Sequence, residues 1–295
     1  MYLEHFGLRE LPFGITPDTS FVFNSQVHQE ALNTLLFAVN SGEGFIKITG
    51  EVGTGKTLLC RRFLAALTVQ EQYVTAYIPN PYLEPRTLLL ALAEEIGVKL
   101  KKDADQYHLL KGLNQALLNF AAQGKTVVMC LDEAQALPLE SLEALRLLSN
   151  LETEKRKLMQ VVLFGQPELD ISLSHESVRQ LRQRIAFQYR MVSFKKDEME
   201  HYVSHRLRIA GYRGQQLFSR RAVTHLHAAS GGVPRLINII AHKSLLVVFG
   251  EGGYQVEPRH VYAAASDNGS SVACFAQIRL SQFFRRLMGK LSFSF

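Results

Sequence analysis

The chain has 295 residues, 47% of them hydrophobic and 20% charged, with a mean hydropathy near zero. This composition excludes bulk disorder, and the length leaves room for one core domain and a smaller satellite. The net charge of +6 and the sequence pI of about 9.2 are mildly basic, which fits a plain solvated surface or an acidic partner such as nucleic acid or an anionic membrane.

In chain order, residues 1–43 open with Phe6-Gly7-Leu8 and Pro12-Phe13. A helical stripe of Ala31, Leu32, Leu35, Leu36 and Val39 follows. A short strand at Phe45–Thr49 runs into a glycine-rich turn and a helix that begins near Lys56. Strands are expected next at Tyr73–Ile78, Thr126–Leu131, Met159–Phe164 and Phe187–Phe194, with helices at Arg86–Ile96, Tyr107–Ala122 and Glu140–Asn150. The apolar run Thr126–Leu131 is that of a strand buried on both faces. Strands alternating with helices imply a three-layer αβα fold around a parallel sheet of five strands, with ligands at the carboxyl ends of the strands.

From about Asp197 the pattern is purely helical: Asp197–Ala210, Ser219–Ala229, Pro234–Phe249 and Pro258–Ala265. The run Ser266–Ser271 reads as a linker. Beyond it, Leu280, Phe283, Phe284, Leu287, Met288 and Leu291 form one stripe flanked by Arg279, Arg285, Arg286 and Lys290. Such a basic amphipathic helix over 277–291 suits an anionic membrane surface, a partner helix or the protein's own surface. The expected division is a flanking segment over 1–43, an αβα core over 44–195, an all-α lid over 196–265, and a linker with a tail helix over 266–295.

Cys60, Cys130 and Cys274 stand far apart with no CxxC pair, which argues against a disulfide framework or a structural zinc site. The N-terminus has no uninterrupted apolar run, and the longest apolar stretch, Leu236–Phe249, is broken by Asn238, His242 and Lys243. A cytoplasmic protein is expected, with peripheral attachment to the inner membrane left open. His201 and His205 lack the glutamate of a zinc helix, and aromatic residues do not interleave with basic ones as in an RNA-reading strand.

Gly50-Glu51-Val52-Gly53-Thr54-Gly55-Lys56-Thr57 matches the Walker A pattern, with Leu58 following in the helix. Its glycines let backbone N–H groups face the phosphates of ATP, and the helix that follows adds its dipole. Lys56 reaches the β- and γ-phosphates, and the Thr57 hydroxyl is placed to ligate Mg²⁺. Val127–Glu133 matches the Walker B pattern: an apolar strand that delivers Asp132 to the Mg²⁺ shell and Glu133 to the attacking water. The strand Met159–Phe164, expected between the two Walker strands, ends at Gly165-Gln166-Pro167, so Gln166 sits near the γ-phosphate or is a turn residue. Asn80, at the end of the second strand, is either a partner of Glu133 or a turn asparagine. Gly231-Gly232-Val233-Pro234-Arg235 opens a helix, from which Arg235 would clamp the γ-phosphate unless it is a surface arginine. Arg179, Arg182 and Arg184 precede the last strand, where an arginine finger would project into a neighbouring subunit's site. Arg184 is the first choice and Arg182 the second, with a solvated basic helix end as the alternative.

With these motifs in order, the chain resembles the AAA+ ATPases of bacterial export and pilus assembly, the ExeA/GspA group. Phe6–Phe13, Gly50–Thr57, Asp132-Glu133-Ala134-Gln135, Gly165-Gln166-Pro167-Glu168-Leu169 and Gly232–Arg235 carry the resemblance, which spans roughly residues 1–265. It implies that Gln166 is sensor 1, that Arg235 is sensor 2, and that the N-terminal segment helps close the adenine pocket. Larger members add a transmembrane helix and a peptidoglycan-binding domain, neither of which is visible in this sequence. The implied function is an oligomeric ATPase that hydrolyses Mg-ATP to drive or organise assembly of a type IV pilus or secretion apparatus at the inner membrane. The alternatives are a DNA-dependent ATPase like the transposition regulators, and an ATP-binding switch without turnover.

Overall fold

The computed structural model describes residues 2–16, 21, 23–100, 105–148 and 157–267. The tail over 277–291 and Cys274 lie outside the described residues. The chain forms two compact units, residues 26–192 and residues 1–25 with 193–295. The stretch 1–43 thus divides at Ser25.

The first unit holds β1 (Phe45–Gly50), β2 (Tyr73–Ile78), β3 (Thr126–Leu131), β4 (Met159–Gly165) and β5 (Ile185–Met191). They form one parallel sheet in the order β2-β3-β4-β1-β5. Successive side chains of a strand point to opposite faces, and here both faces are covered. Ile46, Ile48, Val128, Cys130, Val162 and Phe164 pack on one side with α2 (Gln26–Asn40) and α3 (Lys56–Thr68). Phe45, Val127, Met129, Leu131, Val161 and Leu163 pack on the other. That face is closed by α4 (Pro85–Glu95), α5 (Gln106–Ala122), α6 (Leu139–Leu148), α7 (Glu168–Ser174) and α8 (Arg179–Gln183). The alternation therefore explains why β3 and β4 read as continuous apolar runs. Cys60 and Cys130, remote in sequence, meet in the core as free thiols, and the hydrogen bond between them together with burial raises the Cys60 pKa.

The last strand is Ile185–Met191 and not Phe187–Phe194. Phe194 belongs instead to the core of the helical unit, where its N–H donates to the Gly232 carbonyl at 2.9 Å. That unit comprises α1 (Tyr2–Phe6), which packs on α11, and α9 (Lys196–Ile209), α10 (Arg220–Ser230), α11 (Pro234–Gly250) and α12 (Pro258–Asp267). Ser219 caps α10 by accepting from Ala222 N–H, and Gly231 ends it in the left-handed region. The buried Arg206 ties the N-terminal segment to α9: it donates to the carbonyl of Pro12 at 2.6 Å and to the Tyr202 hydroxyl at 2.9 Å, and lies 4.8 Å from the Phe21 ring centre. Ser266 and Asp267, expected in a linker, close α12, where Asp267 accepts from Lys243 Nζ at 2.7 Å.

Candidate active site

β1 and β3 are the buried strands whose carboxyl ends carry the candidate site. After Gly50 the chain turns through residues 51–55 and enters α3 at Lys56. Gly53 and Gly55 adopt φ of 83° and 96°, a region that side-chain-bearing residues avoid. At Gly50 the constraint is space, because a Cβ there would meet the Met191 carbonyl and the Thr54 hydroxyl, each at 2.9 Å. Thr54 Oγ1 donates to the Glu51 carbonyl at 2.8 Å and braces the turn, while Glu51 and Val52 are exposed. Gly55 is the N-cap of α3 and provides no side-chain cap, so the first-turn amides remain available for an anion; Leu58 is half-buried one turn in.

Lys56 is buried, and its ammonium donates to the carbonyls of Gly50 at 2.7 Å and Glu51 at 3.0 Å. Desolvation lowers its pKa, opposed by the nearby carboxylates of Glu133 and Asp132. Thr57 donates to Asp132 Oδ2 at 2.7 Å, Tyr77 donates to the same oxygen at 3.4 Å, and Glu133 N–H donates to Oδ1 at 3.1 Å. Asp132 is 2% exposed, and desolvation raises its pKa against those hydrogen bonds.

Glu133 is the one non-glycine residue with positive φ among the described residues, at 54°. Its Oε2 accepts from Gln135 Nε2 at 2.6 Å and from Gln166 Nε2 at 3.1 Å. Burial raises the Glu133 pKa, but the two amides and the charge of Lys56 outweigh it, leaving a carboxyl below its ordinary range. Gln135 closes the circuit by accepting from Gln166 N–H at 2.9 Å. The Gln166 position follows from β4 lying between β3 and β1, as the sequence implied.

Gln135 is a functional candidate that motif reading passed over. Its sequence signal was its place two residues after the carboxylate pair, in the string Asp132-Glu133-Ala134-Gln135 that carries the family resemblance, where it was given no role. Asn80 is not joined to Glu133: its Oδ1 accepts from Tyr82 N–H, within its own turn, at 3.4 Å. His28, on the first turn of α2 and beside Gly55, was also missed because it belongs to no motif.

The candidate arginines belong to other elements. Arg184 is exposed at the end of α8, immediately before β5. The register pairs Phe45 with Ile185 and Gly50 with Met191, so Arg184 stands at the amino end of the sheet, opposite the phosphate loop. The length of β1 separates them by about 17–20 Å. Arg182 and Arg179 are also exposed, the latter 3.9 Å from Glu176. Arg235 is exposed on the first turn of α11, in the helical unit. Gly232 just before it adopts φ of 73°, and a Cβ there would lie 2.1 Å from the Phe194 carbonyl. No helix among the described residues is long and apolar enough to cross a membrane.

The family described as AAA domain matches residues 39–173. The chain is 42% identical over 265 residues, 90% of its length, to general secretion pathway protein A of Aeromonas hydrophila, and spans 48% of that relative. Among solved structures it is similar to Cdc6p from Pyrobaculum aerophilum, with a TM-score of 0.64 and 16% identity over 85% of this chain and 70% of that one. It is also similar to the ORC2 protein of Aeropyrum pernix in its ADPNP–ADP complexes, with a TM-score of 0.60 and 19% identity over 86% and 72% of the two chains. At such identities these structures speak for the fold alone. The AAA domain, the parallel sheet and the phosphate loop identify the chain as a nucleotide-binding ATPase of the P-loop fold, and its secretion-pathway relative supports kinship with the ExeA/GspA group.

Proposed function

We propose that the chain binds Mg-ATP on Gly50–Thr57 and hydrolyses it with Glu133 as the group that orients and polarises water. The observation that carries this reading is the Glu133 carboxylate, held below its ordinary pKa and aimed by the amides of Gln135 and Gln166. An ionised, hydrogen-bonded carboxylate at the end of the strand beside Lys56 is ready to accept a hydrogen bond from water. Lys56 faces the transferring phosphoryl group, and Gln166 adds an amide at the same place. The donor set fits magnesium: the Thr57 hydroxyl and the Asp132 carboxylate are hard oxygens 2.7 Å apart. Bound there, the ion would offset charge on the β- and γ-phosphate oxygens. Arg235 is assigned to the γ-phosphate as the lid's sensor, and Arg184 to a neighbouring subunit's site.

The cellular reading is an oligomeric ATPase of the MshM kind that drives or organises assembly of a type IV pilus or a secretion apparatus at the inner membrane. Its support is the 42% identity to a general secretion pathway protein. The basic stripe over 277–291 would serve attachment to an anionic membrane. Glu133→Gln tests the catalytic assignment: turnover should fall by roughly 10²–10⁴-fold while ATP binding persists. A variant that hydrolyses ATP at the wild-type rate removes Glu133 from the mechanism.

A further inference from the structure

His28 is the buried titratable group next to the phosphate loop that the mechanism above does not use. It is 6% exposed, on the first turn of α2. Its ring Nε2 stands 2.5 Å from the point where a Cβ on Gly55 would be. Gly55 is therefore fixed twice, by its φ of 96° and by the imidazole that fills the space of a side chain.

The ring also makes a hydrogen bond to the Thr54 backbone, one that favours the protonated ring. A carbonyl acceptor has that effect, so the ring N–H donates to the Thr54 carbonyl. Net burial nonetheless keeps the imidazole neutral, with its pKa pushed down to about 4. No cis peptide bond occurs among the described residues. In a planar trans peptide the carbonyl of one residue and the N–H of the next point in opposite directions. A ring that draws the Thr54 carbonyl toward α2 therefore turns the Gly55 N–H away from α2. That N–H stands at the uncapped start of α3, where phosphate oxygens are received.

We propose that His28 is a positioning residue of the nucleotide site: it locks the Thr54–Gly55 peptide so that the Gly55 N–H faces a bound phosphate. His28 acts through the loop, by way of Thr54 and Gly55. The inference rests on Gly50–Thr57 being the phosphate site.

The test is titration of a fluorescent ATP analogue, without added metal, into wild type, His28→Phe, His28→Gln and Lys56→Ala, with thermal melts of each. Phenylalanine keeps the bulk of the ring and removes its donor; glutamine keeps a donor. His28→Phe should bind about tenfold more weakly, equivalent to about 1.4 kcal/mol. His28→Gln should recover most of that loss, although a purely packing role predicts the reverse order. Equal affinity of His28→Phe and wild type overturns the proposal, as does a glutamine variant weaker than the phenylalanine one. If His28→Phe fails to fold, His28→Gln decides: near wild-type affinity supports the peptide lock, and a tenfold loss in a natively folded protein overturns it. Failure of wild type to bind, or undiminished binding by Lys56→Ala, would instead overturn the assignment of the phosphate site itself.

Discussion

The two ends of the central sheet are built on opposite principles. At the carboxyl end Lys56, Asp132, Glu133 and Gln166 are withdrawn from solvent to differing degrees, and each is held by named hydrogen bonds. At the amino end Arg182, on the five-residue α8, and Arg184, the residue that follows that helix, are exposed. A preorganised site stabilises developing charge because its dipoles do not have to reorganise. An exposed arginine gains comparable leverage only when another surface covers it. The carboxyl end thus carries the parts of a phosphate site, and the amino end carries a cation too far away to serve it.

The sharpest test of this contrast is Arg184→Ala. If Arg184 completes a neighbour's site, turnover should fall by about 10³-fold, and the dependence of specific activity on protein concentration should disappear. ATP affinity measured at low concentration should barely change. A flat, unaffected rate would mean that each subunit's site is self-contained.

Acid should affect the carboxyl end through His28. The folded chain holds this imidazole at about 4, below its ordinary value. Above pH 6.5 both folded and unfolded chains leave it neutral, so its contribution does not vary. As pH falls from there toward 4, the unfolded chain takes up a proton that the folded chain refuses, and stability declines by up to about 3 kcal/mol. Urea midpoints at pH 7 and pH 4.5 should diverge more in wild type than in His28→Gln.

Gln135→Ala is the mildest perturbation. It removes one of two amides from Glu133 Oε2 and leaves the Gln166 N–H without its acceptor. We expect kcat to drop by roughly 3- to 10-fold, the worth of about one hydrogen bond, with KM for ATP unchanged. A rise in KM alone would show that Gln135 supports binding and not Glu133.

The fold was legible where burial imposed a period. β3 and β4 read as continuous apolar runs because helices cover both sheet faces, and the phosphate loop was legible because φ values near 90° exclude other residues at Gly53 and Gly55. β5 was misread by two or three residues because its edge position leaves alternate residues exposed, and because the apolar Phe194 beyond it belongs to a different core. α7 and α8, of seven and five residues, are too short to display a helical period. Within the site, the carboxylates and Lys56 were readable from spacing. Gln135 and His28 were not, because their partners arrive through tertiary folding: Gln166 from β4, and Gly55 from the loop that meets α2.

Glu133 sits at a φ of 54° with no glycine to relieve it. Non-glycine residues in that region cost on the order of 1 kcal/mol. Part of the protein's stability thus goes into holding one carboxylate against the Gln135 and Gln166 amides. Glu133→Gly releases that cost but also gives up the two amide hydrogen bonds to Oε2 and the attraction to Lys56, so the melting temperature of the variant against wild type reads which of the two is larger. The backbone of the turn after β3 therefore sets a local conformational cost against the hydrogen bonds that its carboxylate collects.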